Sequence, residues 1–281
     1  MKICIDAGHY GKYNQSKVVP EYYESDMNWK LHLKLKAELE TYEDVEVITT
    51  RADKNVDLEN VKRGQMSKDC DLFISLHSNG ATREDADHIV IFVPISDNTT
   101  DIDERSIALA NKLAPMLTDL MGVSEKNYRV AGVKSSNDRN GDGILNDNYY
   151  GVIHGARLVN TPALIIEHSF HTNARAAKWL LIEENLDKIA KEEAKIIAEH
   201  YGLEKIKQTV HRVQIGAYLL KTNATKTQNK LKNLGYSTII VKSGLYYKVQ
   251  VGSYTIEANA KKLATKLKEQ GFSTMIVKAQ I

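Results

Sequence analysis

Two histidines in this 281-residue sequence each stand close behind an apolar run. His9 follows the run at residues 2–5, and His77 follows the run at residues 71–74. Both runs are typical of buried strands, and neighbouring parallel strands deliver side chains to one edge of a sheet. Because an imidazole nitrogen is a preferred zinc ligand, the two histidines predict a metal site at that edge.

A catalytic zinc takes three protein ligands, and Glu24 is the first candidate for the third. It begins a helical pattern at residues 24–40, and a helix start lies beside strand ends in a strand–helix unit. The apolar positions that define this helix are Met27, Leu31, Leu35 and Leu39. Glu21, in the preceding loop, is the second candidate. A lone histidine is usually just a hydrogen-bonded residue, but two of them with a well-placed glutamate favour metal binding.

A further carboxylate, Glu167, ends the short apolar run at residues 163–166. It could take a proton from an attacking water and hand it to a leaving amine. The alternative is a strand-end glutamate paired with a lysine, and the residues alone leave both interpretations open. His154, His168 and His171 lie in the same segment, where one of them could hydrogen-bond Glu167, although a merely polar role is more common.

The order of these motifs resembles that of the zinc-dependent N-acetylmuramoyl-L-alanine amidases over roughly residues 1–200. The resemblance rests on Asp6-Ala7-Gly8-His9, Glu24 with Asn28, Thr50-Arg51-Ala52-Asp53 with Leu58 and Arg63, Ser75-Leu76-His77-Ser78-Asn79, and Pro162-Ala163-Leu164-Ile165-Ile166-Glu167 with Phe170 and Asn173. It implies that His9, Glu24 and His77 bind zinc and that Glu167 is catalytic. It also implies cleavage of the amide between muramic acid and the stem-peptide L-alanine of peptidoglycan.

For the first 202 residues we expect an α/β domain with a mostly parallel sheet and helices on both faces. Asn79 could position the substrate carbonyl, or could be a turn residue. Residues 138–148 reproduce the first half of a calcium loop, with Gly143 at its sixth position. Since the twelfth position is Tyr149 and not a glutamate, a turn-rich loop on the substrate side is favoured over calcium binding.

Charge divides the chain into two parts. From Glu204 onward, 14 lysines and arginines stand against 3 glutamates, whereas the preceding part holds 24 basic and 33 acidic side chains. A long helical pattern at residues 174–201 ends at Gly202, a plausible C-cap. The sequence therefore predicts a catalytic domain at residues 1–202, a linker at 203–209 and a separate basic domain at 210–281.

The basic domain contains an internal repeat with an offset of 36 residues, in which residues 212–218 recur as residues 248–254. Each copy reads strand, helix, strand, which predicts a small α+β domain of β-α-β-β-α-β order with both helices on one face of the sheet. The domain resembles the SPOR (sporulation-related repeat) peptidoglycan-binding domain. That resemblance implies glycan binding on the open sheet face.

Five residues are candidates for contact with the glycan: Gln214, Tyr218, Gln250, Ser253 and Tyr254. Strand alternation places the glutamines opposite the apolar face of the sheet. The alternative is that both tyrosines pack in the core and the glutamines are ordinary edge residues. The positive charge also suits anionic wall polymers. Aromatic interleaving of the kind that RNA-binding sheets show is weak, so we expect no nucleic acid partner.

The whole sequence thus predicts a zinc amidase that meets the stem peptide with its first domain and the glycan strand with its second. A phage endolysin is the first interpretation, and a host mother-cell autolysin with the same activity is its alternative. A zinc carboxypeptidase acting on stem peptides and a non-enzymatic wall-binding protein are the other functions that stay open. The oligomeric state is not predicted.

Targeting signals are not evident at the start of the chain. Met1 and Lys2 lead directly into the first apolar run, and we expect neither a signal peptide nor a membrane span. We therefore expect synthesis in the cytoplasm and action on the wall after release through a pore or by lysis. Cys4 and Cys70 are expected to be reduced core residues.

Overall fold

A computed structural model describes residues 1–95, 101–139 and 147–281. The described chain forms two compact units, Met1–Lys205 and Ile206–Ile281. The break between them falls within the segment that the sequence analysis treats as a linker. Of the calcium-like loop at residues 138–148, residues 140–146 lie outside the described residues, so the metal interpretation of that loop stays a prediction.

The first unit is built on one six-stranded sheet in the order β2-β1-β3-β6-β4-β5. Its strands are β1 (Lys2–Ala7), β2 (Glu46–Thr49), β3 (Leu72–Asn79), β4 (Ile89–Phe92), β5 (Tyr128–Ala131) and β6 (Ala163–Phe170). Strands β1, β2, β3 and β6 pair in parallel, whereas β4 pairs with β6 in the antiparallel sense. The prediction of a mostly parallel sheet is confirmed.

Helices cover both faces of this sheet, as predicted. They are α1 (Glu24–Leu39), α2 (Asn60–Gln65), α3 (Asp101–Met121), α4 (Gly151–Leu158), α5 (Ala174–Leu180) and α6 (Glu183–Tyr201). On one face Leu31 of α1, Leu113 of α3 and Ile189 of α6 join the core formed by alternate strand residues. On the other face Ile153 of α4 packs with Phe73 of β3. Burial on both faces explains why the central strands read as continuous apolar runs.

Two boundaries differ from the sequence prediction. The helix expected at residues 174–201 is interrupted at Leu181 and Ile182, where Asn185 Nδ2 donates to the Trp179 carbonyl at 3.0 Å. Apolar spacing continues across this break, so periodicity did not reveal it. The C-cap at Gly202 is confirmed, with φ of 68°. Strands β3 and β6 also run past their apolar residues, so His77 and Glu167 lie within strands and not behind them.

The second unit has the predicted β-α-β-β-α-β order. Its elements are β7 (Thr209–Tyr218), α7 (Lys221–Asn233), β8 (Thr238–Ser243), β9 (Tyr246–Tyr254), α8 (Glu257–Glu269) and β10 (Met275–Gln280). The four strands form an antiparallel sheet in the order β10-β7-β9-β8. Leu231 of α7 and Leu267 of α8 pack in one cluster with Val213 and Val249. Both helices therefore cover the same face, and the other face is open.

Both cysteines, Cys4 and Cys70, are free and buried, and burial raises the pKa of each thiol. They have the inert, reduced character expected of core cysteines. Separately, no helix among the described residues is long and apolar enough to cross a lipid bilayer.

Helices α2 and α4 approach each other unusually closely at two glycines. A Cβ atom on Gly64 of α2 would overlap the Val152 carbonyl oxygen, and one on Gly155 of α4 would overlap the Val61 carbonyl oxygen. The backbones can touch only because both residues lack a side chain. This contact holds α2 against the sheet and thereby places Arg63, whose guanidinium reaches β1.

Replacement of Gly155 by alanine should lower the free energy of unfolding of the first unit by about 2–3 kcal/mol, because the added methyl has no space between the helices. Urea unfolding followed by tryptophan fluorescence reports this unit, since both tryptophans, Trp29 and Trp179, lie in it. Gly80→Ala is the matched control, because its Cβ would meet its nearest atoms at 3.4 Å. Equal stability of the two variants would contradict the close contact.

Candidate functional site

A pocket of about 500 Å³ opens at the edge of the sheet where β1 and β3 end. His9, His77 and Glu167, three of the residues singled out from the sequence, line it together. The other lining residues include Tyr10, Tyr13, Arg51, Asn60, Arg63 and Tyr150. Its volume lies in the range of ordinary ligand sites. The pocket thus combines a metal-binding residue type, a buried carboxylate and aromatic walls.

His9, Glu24 and His77 converge at this pocket. Their ligand atoms all lie within 4.8 Å of one another, and no other such group occurs among the described histidines, cysteines and carboxylates. Glu24 Oε1 lies 3.3 Å from His9 Nε2 and 2.9 Å from His77 Nδ1. Glu21, the second candidate for the third ligand, is exposed and takes no part in the group. The structure therefore brings together the three residues that the sequence analysis placed first.

Each ligand is positioned by local backbone structure. His9 lies two residues beyond the end of β1 and has a left-handed backbone with φ of 61°, a strained conformation for a residue with a side chain. Glu24 is the first residue of α1, where the helix dipole favours a negative charge. His77 lies in β3, and its ring packs so tightly over Gly8 that any Cβ there would overlap it. Gly8 is required for this reason and not for a turn.

The Glu24 carboxylate is almost completely buried, with 1% of its surface exposed, and is held by donors from other segments. Asn14 Nδ2 donates to Oε2 at 2.6 Å, and the Ser78 backbone N–H donates to Oε1 at 3.1 Å. Burial acts to raise the pKa of Glu24, but its contacts with His77 and His9 outweigh burial and hold that pKa well below the ordinary 4.5. Glu24 is therefore ionised at neutral pH.

A buried chain of hydrogen bonds from His77 through Ser75 to Asp6, called the relay below, determines which nitrogen of the His77 ring carries the proton. Ser75 Oγ lies 2.7 Å from Asp6 Oδ2 and 3.1 Å from His77 Nε2. Asp6 forms an ion pair with Arg63 at 3.0 Å, and an ionised carboxylate only accepts hydrogen bonds, so the Ser75 hydroxyl donates to Asp6. Ser75 can then only accept from His77, which places the ring proton on Nε2. Burial lowers the pKa of His77, so the ring is neutral.

The donor set fits a metal ion. With its proton on Nε2, His77 presents the lone pair of Nδ1 to the Glu24 carboxylate oxygen 2.9 Å away. This contact is a hydrogen bond only while Nδ1 also carries a proton; in the neutral ring a cation between the two atoms takes the place of that proton. Two imidazoles and one carboxylate are a ligand set of catalytic zinc sites, and a hydrogen-bonded ring N–H opposite the metal is typical of ligating histidines.

Glu167 lies in β6 directly beside His77, its Cα partner in β3. Its side chain is 8% exposed, and its Oε2 has no hydrogen-bond partner among the described residues. Burial, together with the negative charge of Glu24, raises the pKa of Glu167 well above its ordinary value. A carboxylate with a raised pKa next to a metal site is suited to proton transfer near neutral pH.

The remaining candidates of the first unit lie outside the described pocket lining. Asn79 Oδ1 accepts from the Gly80 backbone N–H at 2.8 Å, the turn role that the sequence analysis held open. His171 Nδ1 lies 2.9 Å from the Ser78 carbonyl. His168 is fully buried between the His77 carbonyl at 2.9 Å and Glu193 at 3.0 Å, where it supports the backbone of a metal ligand. His154, on α4, lies 3.7 Å from Asp147.

In the second unit, Gln214 of β7 and Gln250 of β9 are direct partners across the sheet. Their neighbours Val213, Ile215 and Val251 face the helix-side core, so the glutamines lie on the open face. Gln250 is 7% exposed, and its Oε1 has no hydrogen-bond partner within the described parts of the chain. A pocket of about 270 Å³ on this face is lined by Arg212, Ser237, Ile239, Gln250, Gly252 and Ser253.

Tyr218 and Tyr254 do not share the open face with the glutamines. Both rings pack against the helix-side core, and the Tyr218 hydroxyl accepts from Thr227 Oγ1 of α7 at 2.8 Å. The register of β7 and β9 shifts twice, once near Gly216 and once near Gly252. Each shift is a β-bulge that moves the following residues to the opposite face. Both tyrosines thus lie as in the alternative of the sequence analysis, packed against the core, and their contact with glycan stays a prediction.

Ser75 and Asp6 were missed as members of the metal site. Both stand in the motifs that carried the family resemblance, but the sequence gave no reason to connect them. Their contact depends on the pairing of β1 with β3, in which Asp6 and Ser75 are Cα partners. The available signal is two buried polar residues in otherwise apolar strands, since such residues need partners.

Replacement of Ser75 by alanine should weaken zinc binding about 10–100-fold, because His77 Nε2–H loses its acceptor and the ring loses its orientation. Competition with a chromogenic chelator measures the zinc affinity without reference to any activity. Thr50→Val is the matched control, since Thr50 Oγ1 donates to the same Asp6 carboxylate at 2.6 Å but does not touch His77. Unchanged zinc affinity in Ser75→Ala would show that the hydrogen bond from His77 to Ser75 does not contribute to zinc binding.

The structure resembles solved amidase domains in fold. It matches the catalytic domain of an N-acetylmuramoyl-L-alanine amidase from Bacillus (Paenibacillus) polymyxa var. colistinus with a TM-score of 0.56 and 22% identity, over 72% of this chain and 98% of that one. It matches an N-acetylmuramoyl-L-alanine amidase from Clostridium difficile 630 with a TM-score of 0.57 and 22% identity, over 72% and 96%. An N-acetylmuramoyl-L-alanine amidase of Nostoc punctiforme matches with a TM-score of 0.55 and 18% identity, over 72% of this chain and 97% of that one.

Family models agree with this likeness. No curated protein sequence matches the chain significantly. The model of the N-acetylmuramoyl-L-alanine amidases, however, matches residues 3–199, and the model of the SPOR domain matches residues 207–278. The first match covers more than half of the chain and contains all three converging ligands and Glu167. The chain therefore belongs to the N-acetylmuramoyl-L-alanine amidase family and carries a SPOR domain behind its amidase domain.

Proposed function

We propose that this protein is a zinc-dependent hydrolase of the amide between muramic acid and the stem-peptide L-alanine of peptidoglycan. The observation that carries the proposal is the convergence of His9, Glu24 and His77 at a pocket that also holds Glu167. Bound zinc supplies Lewis-acid chemistry, in which it acidifies water and polarises the scissile carbonyl. The membership in the amidase family supports this choice of substrate.

Glu167 moves the proton in this proposal. Its carboxylate takes a proton from the attacking water and then delivers it to the nitrogen of the leaving L-alanine. The pKa of Glu167 is raised by burial and by the charge of Glu24, and it falls when a bound dication offsets that charge. Glu167 can therefore act as a base first and as an acid afterwards. Asp6 and Ser75 hold the His77 ring throughout, and the buried surroundings limit access of bulk water.

The SPOR domain, in this proposal, holds glycan strands on its open sheet face. Gln214, Gln250 and Ser253 offer amide and hydroxyl groups to sugar hydroxyls, and Gln250 Oε1 is buried without a partner at the wall of the pocket on that face. A buried acceptor without a partner is costly unless a ligand supplies a donor. Binding of the wall by this domain raises the local concentration of the amidase domain at its substrate.

We further propose that the activity serves lysis, in a phage endolysin released through a pore, with a host mother-cell autolysin as the alternative setting. The combination of a wall hydrolase with a wall-binding domain supports a lytic role in either case. Immunodetection after induction of a resident phage and after induction of sporulation separates the two. Appearance only in sporulating mother cells would replace the endolysin interpretation.

Glu167→Gln should lower the turnover number about 10²–10⁴-fold while zinc content is unchanged, because the amide keeps the shape but cannot transfer the proton. The assay digests purified peptidoglycan with the full chain and detects new L-alanine amino termini and new reducing ends. Wild type should release L-alanine amino termini without new reducing ends. Chelation should abolish this release, and addition of zinc should restore it.

The matched control is Glu21→Gln, which alters an exposed carboxylate outside the metal group. It should cut as wild type does. Full activity of Glu167→Gln would remove Glu167 from the reaction. New termini at residues other than L-alanine would assign the protein as a peptidase on stem peptides, and absence of cleavage in wild type would favour a non-enzymatic wall-binding protein.

The double variant Gln214→Ala, Gln250→Ala should bind peptide-free glycan strands about tenfold more weakly, since two amide groups are removed from the open face. Sedimentation with purified glycan strands measures the affinity. Tyr218→Phe should bind as wild type does, because its hydroxyl is bonded to Thr227 on the helix side. The reverse result, with loss only in Tyr218→Phe, would contradict the assignment of the open face.

A further inference from the structure

The helix layer of the SPOR domain carries a concentrated positive charge that the glycan-binding proposal does not use. Helices α7 and α8 together contain eight lysines and only two acidic residues, Glu257 and Glu269. Glu257 is already paired with Lys261 at 3.1 Å. The eight lysines are Lys221, Lys226, Lys230 and Lys232 in α7 and Lys261, Lys262, Lys266 and Lys268 in α8.

The internal repeat shows which of these lysines are placed systematically. At the offset of 36 residues, Lys226 corresponds to Lys262, Lys230 to Lys266 and Lys232 to Lys268, and all six are exposed. Of the other exposed helix positions, Asn223 and Asn259 agree, whereas four have diverged between the copies: Lys221 corresponds to Glu257, Thr222 to Ala258, Asn229 to Thr265 and Asn233 to Glu269. Packing does not explain agreement at exposed positions. Lys226 and Lys230 share one side of α7, as Lys262 and Lys266 share one side of α8, and these four residues are called the lysine face below.

Within each helix the lysine face works against stability. Lys226 and Lys230 are four residues apart, as are Lys262 and Lys266, and like charges at this spacing destabilise a helix. Among all described residues, no carboxylate forms an ion pair with any of these four lysines. Lys266 lies over the Tyr236 ring at 5.8 Å, which does not neutralise its charge. An anionic partner would relieve the repulsion in both helices.

We propose that the lysine face binds an anionic phosphodiester polymer of the bacterial wall. Ammonium groups on flexible stems act as point charges for phosphate and need no fixed geometry. Two equivalent clusters suit a repeating polymer better than a single small anion. Helices α7 and α8 contain no aromatic residue, and the Tyr236 ring beside them already has Lys266 over it at 5.8 Å, so the helices offer no free platform for the stacking of nucleic acid bases. A polymer with phosphates and without bases therefore matches the face.

The lysine face and the glycan face lie on opposite sides of one sheet, because both helices pack on the side away from Gln214 and Gln250. Glycan and anionic polymer can therefore be bound at the same time. The identification of the polymer as a wall component rests on the proposed function, whereas the affinity for a phosphodiester chain does not. Binding to a soluble polymer thus tests the inference separately from hydrolysis.

The experiment compares the full chain with the variant Lys226→Gln, Lys230→Gln, Lys262→Gln, Lys266→Gln. The probe is soluble poly(glycerol phosphate), and binding is measured by fluorescence anisotropy at low and at physiological salt. The variant should bind about 10–100-fold more weakly at low salt, since a lysine near an anionic surface is worth about fivefold each and neighbouring charges are partly screened. Wild-type affinity should fall steeply as salt increases.

The matched control removes the same number of charges from exposed lysines of the amidase domain, with Lys68, Lys112, Lys178 and Lys191 replaced by glutamine. It should retain the affinity of wild type. Release of L-alanine termini from walls stripped of anionic polymers should be equal in all three proteins, which shows that the amidase site is intact. The helix variant should unfold at the temperature of wild type or slightly above it, because the repulsion within α7 and α8 is removed.

Three results would overturn the inference. The first is equal affinity of wild type and the helix variant for the polymer. The second is an equal loss in the control, which would indicate a response to net charge alone. The third is much tighter binding to an RNA of matched phosphate number, single- or double-stranded, which would identify a nucleic acid as the partner. Failure of hydrolysis with intact polymer binding would affect only the proposed function.

Discussion

Burial of the Glu24 carboxylate is the constraint on which the amidase domain depends. A charge removed from water is tolerated only when donors or a cation replace the lost solvation. Glu24 finds them in two other segments: His9 and Asn14 of the loop after β1, and His77 and the Ser78 backbone of β3. The start of α1, the end of β3 and the loop between β1 and α1 are thereby fixed together.

A second buried carboxylate, Asp6, extends this arrangement away from the pocket. It is fully buried and accepts from Thr50, Ser75 and Arg63, which come from the segment after β2, from β3 and from α2. Arg63 reaches Asp6 because α2 lies against α4 at two glycines. A contact between helix backbones at the other side of the pocket thus helps to determine which nitrogen of His77 carries the proton.

Much of the fold followed from the sequence because apolar runs and helical spacing are strong local signals. The parallel strands, the start of α1 at Glu24 and the repeat in the SPOR domain are all of this kind. The ends of β3 and β6 were not predictable from apolar residues, since polar side chains there are held by neighbouring strands. The break between α5 and α6 changes the direction of the chain without interrupting the apolar spacing.

The site was predictable to the extent that its residues carry recognisable chemistry. Two histidines and two glutamates are residue types that indicate a metal-dependent hydrolase. The family resemblance implied the role of each of the four residues. The relay from Asp6 through Ser75 depends on strand register, which no single segment encodes. The face on which the SPOR tyrosines lie was not predictable, because alternation holds only in regular strands and the bulges near Gly216 and Gly252 each reverse it.

The repeat of the SPOR domain has a consequence for the direction in which a polymer can lie. Gln214 and Gln250 face each other from antiparallel strands, so the two copies are related by an approximate twofold axis between them. Their surroundings differ, however, because Ser253 corresponds to Ala217 and Arg212 to Lys248. A glycan strand has chemically distinct ends, and reversing it exchanges a hydroxyl partner for a methyl group. In the proposed binding mode, the broken symmetry therefore makes the two directions of a bound strand unequal.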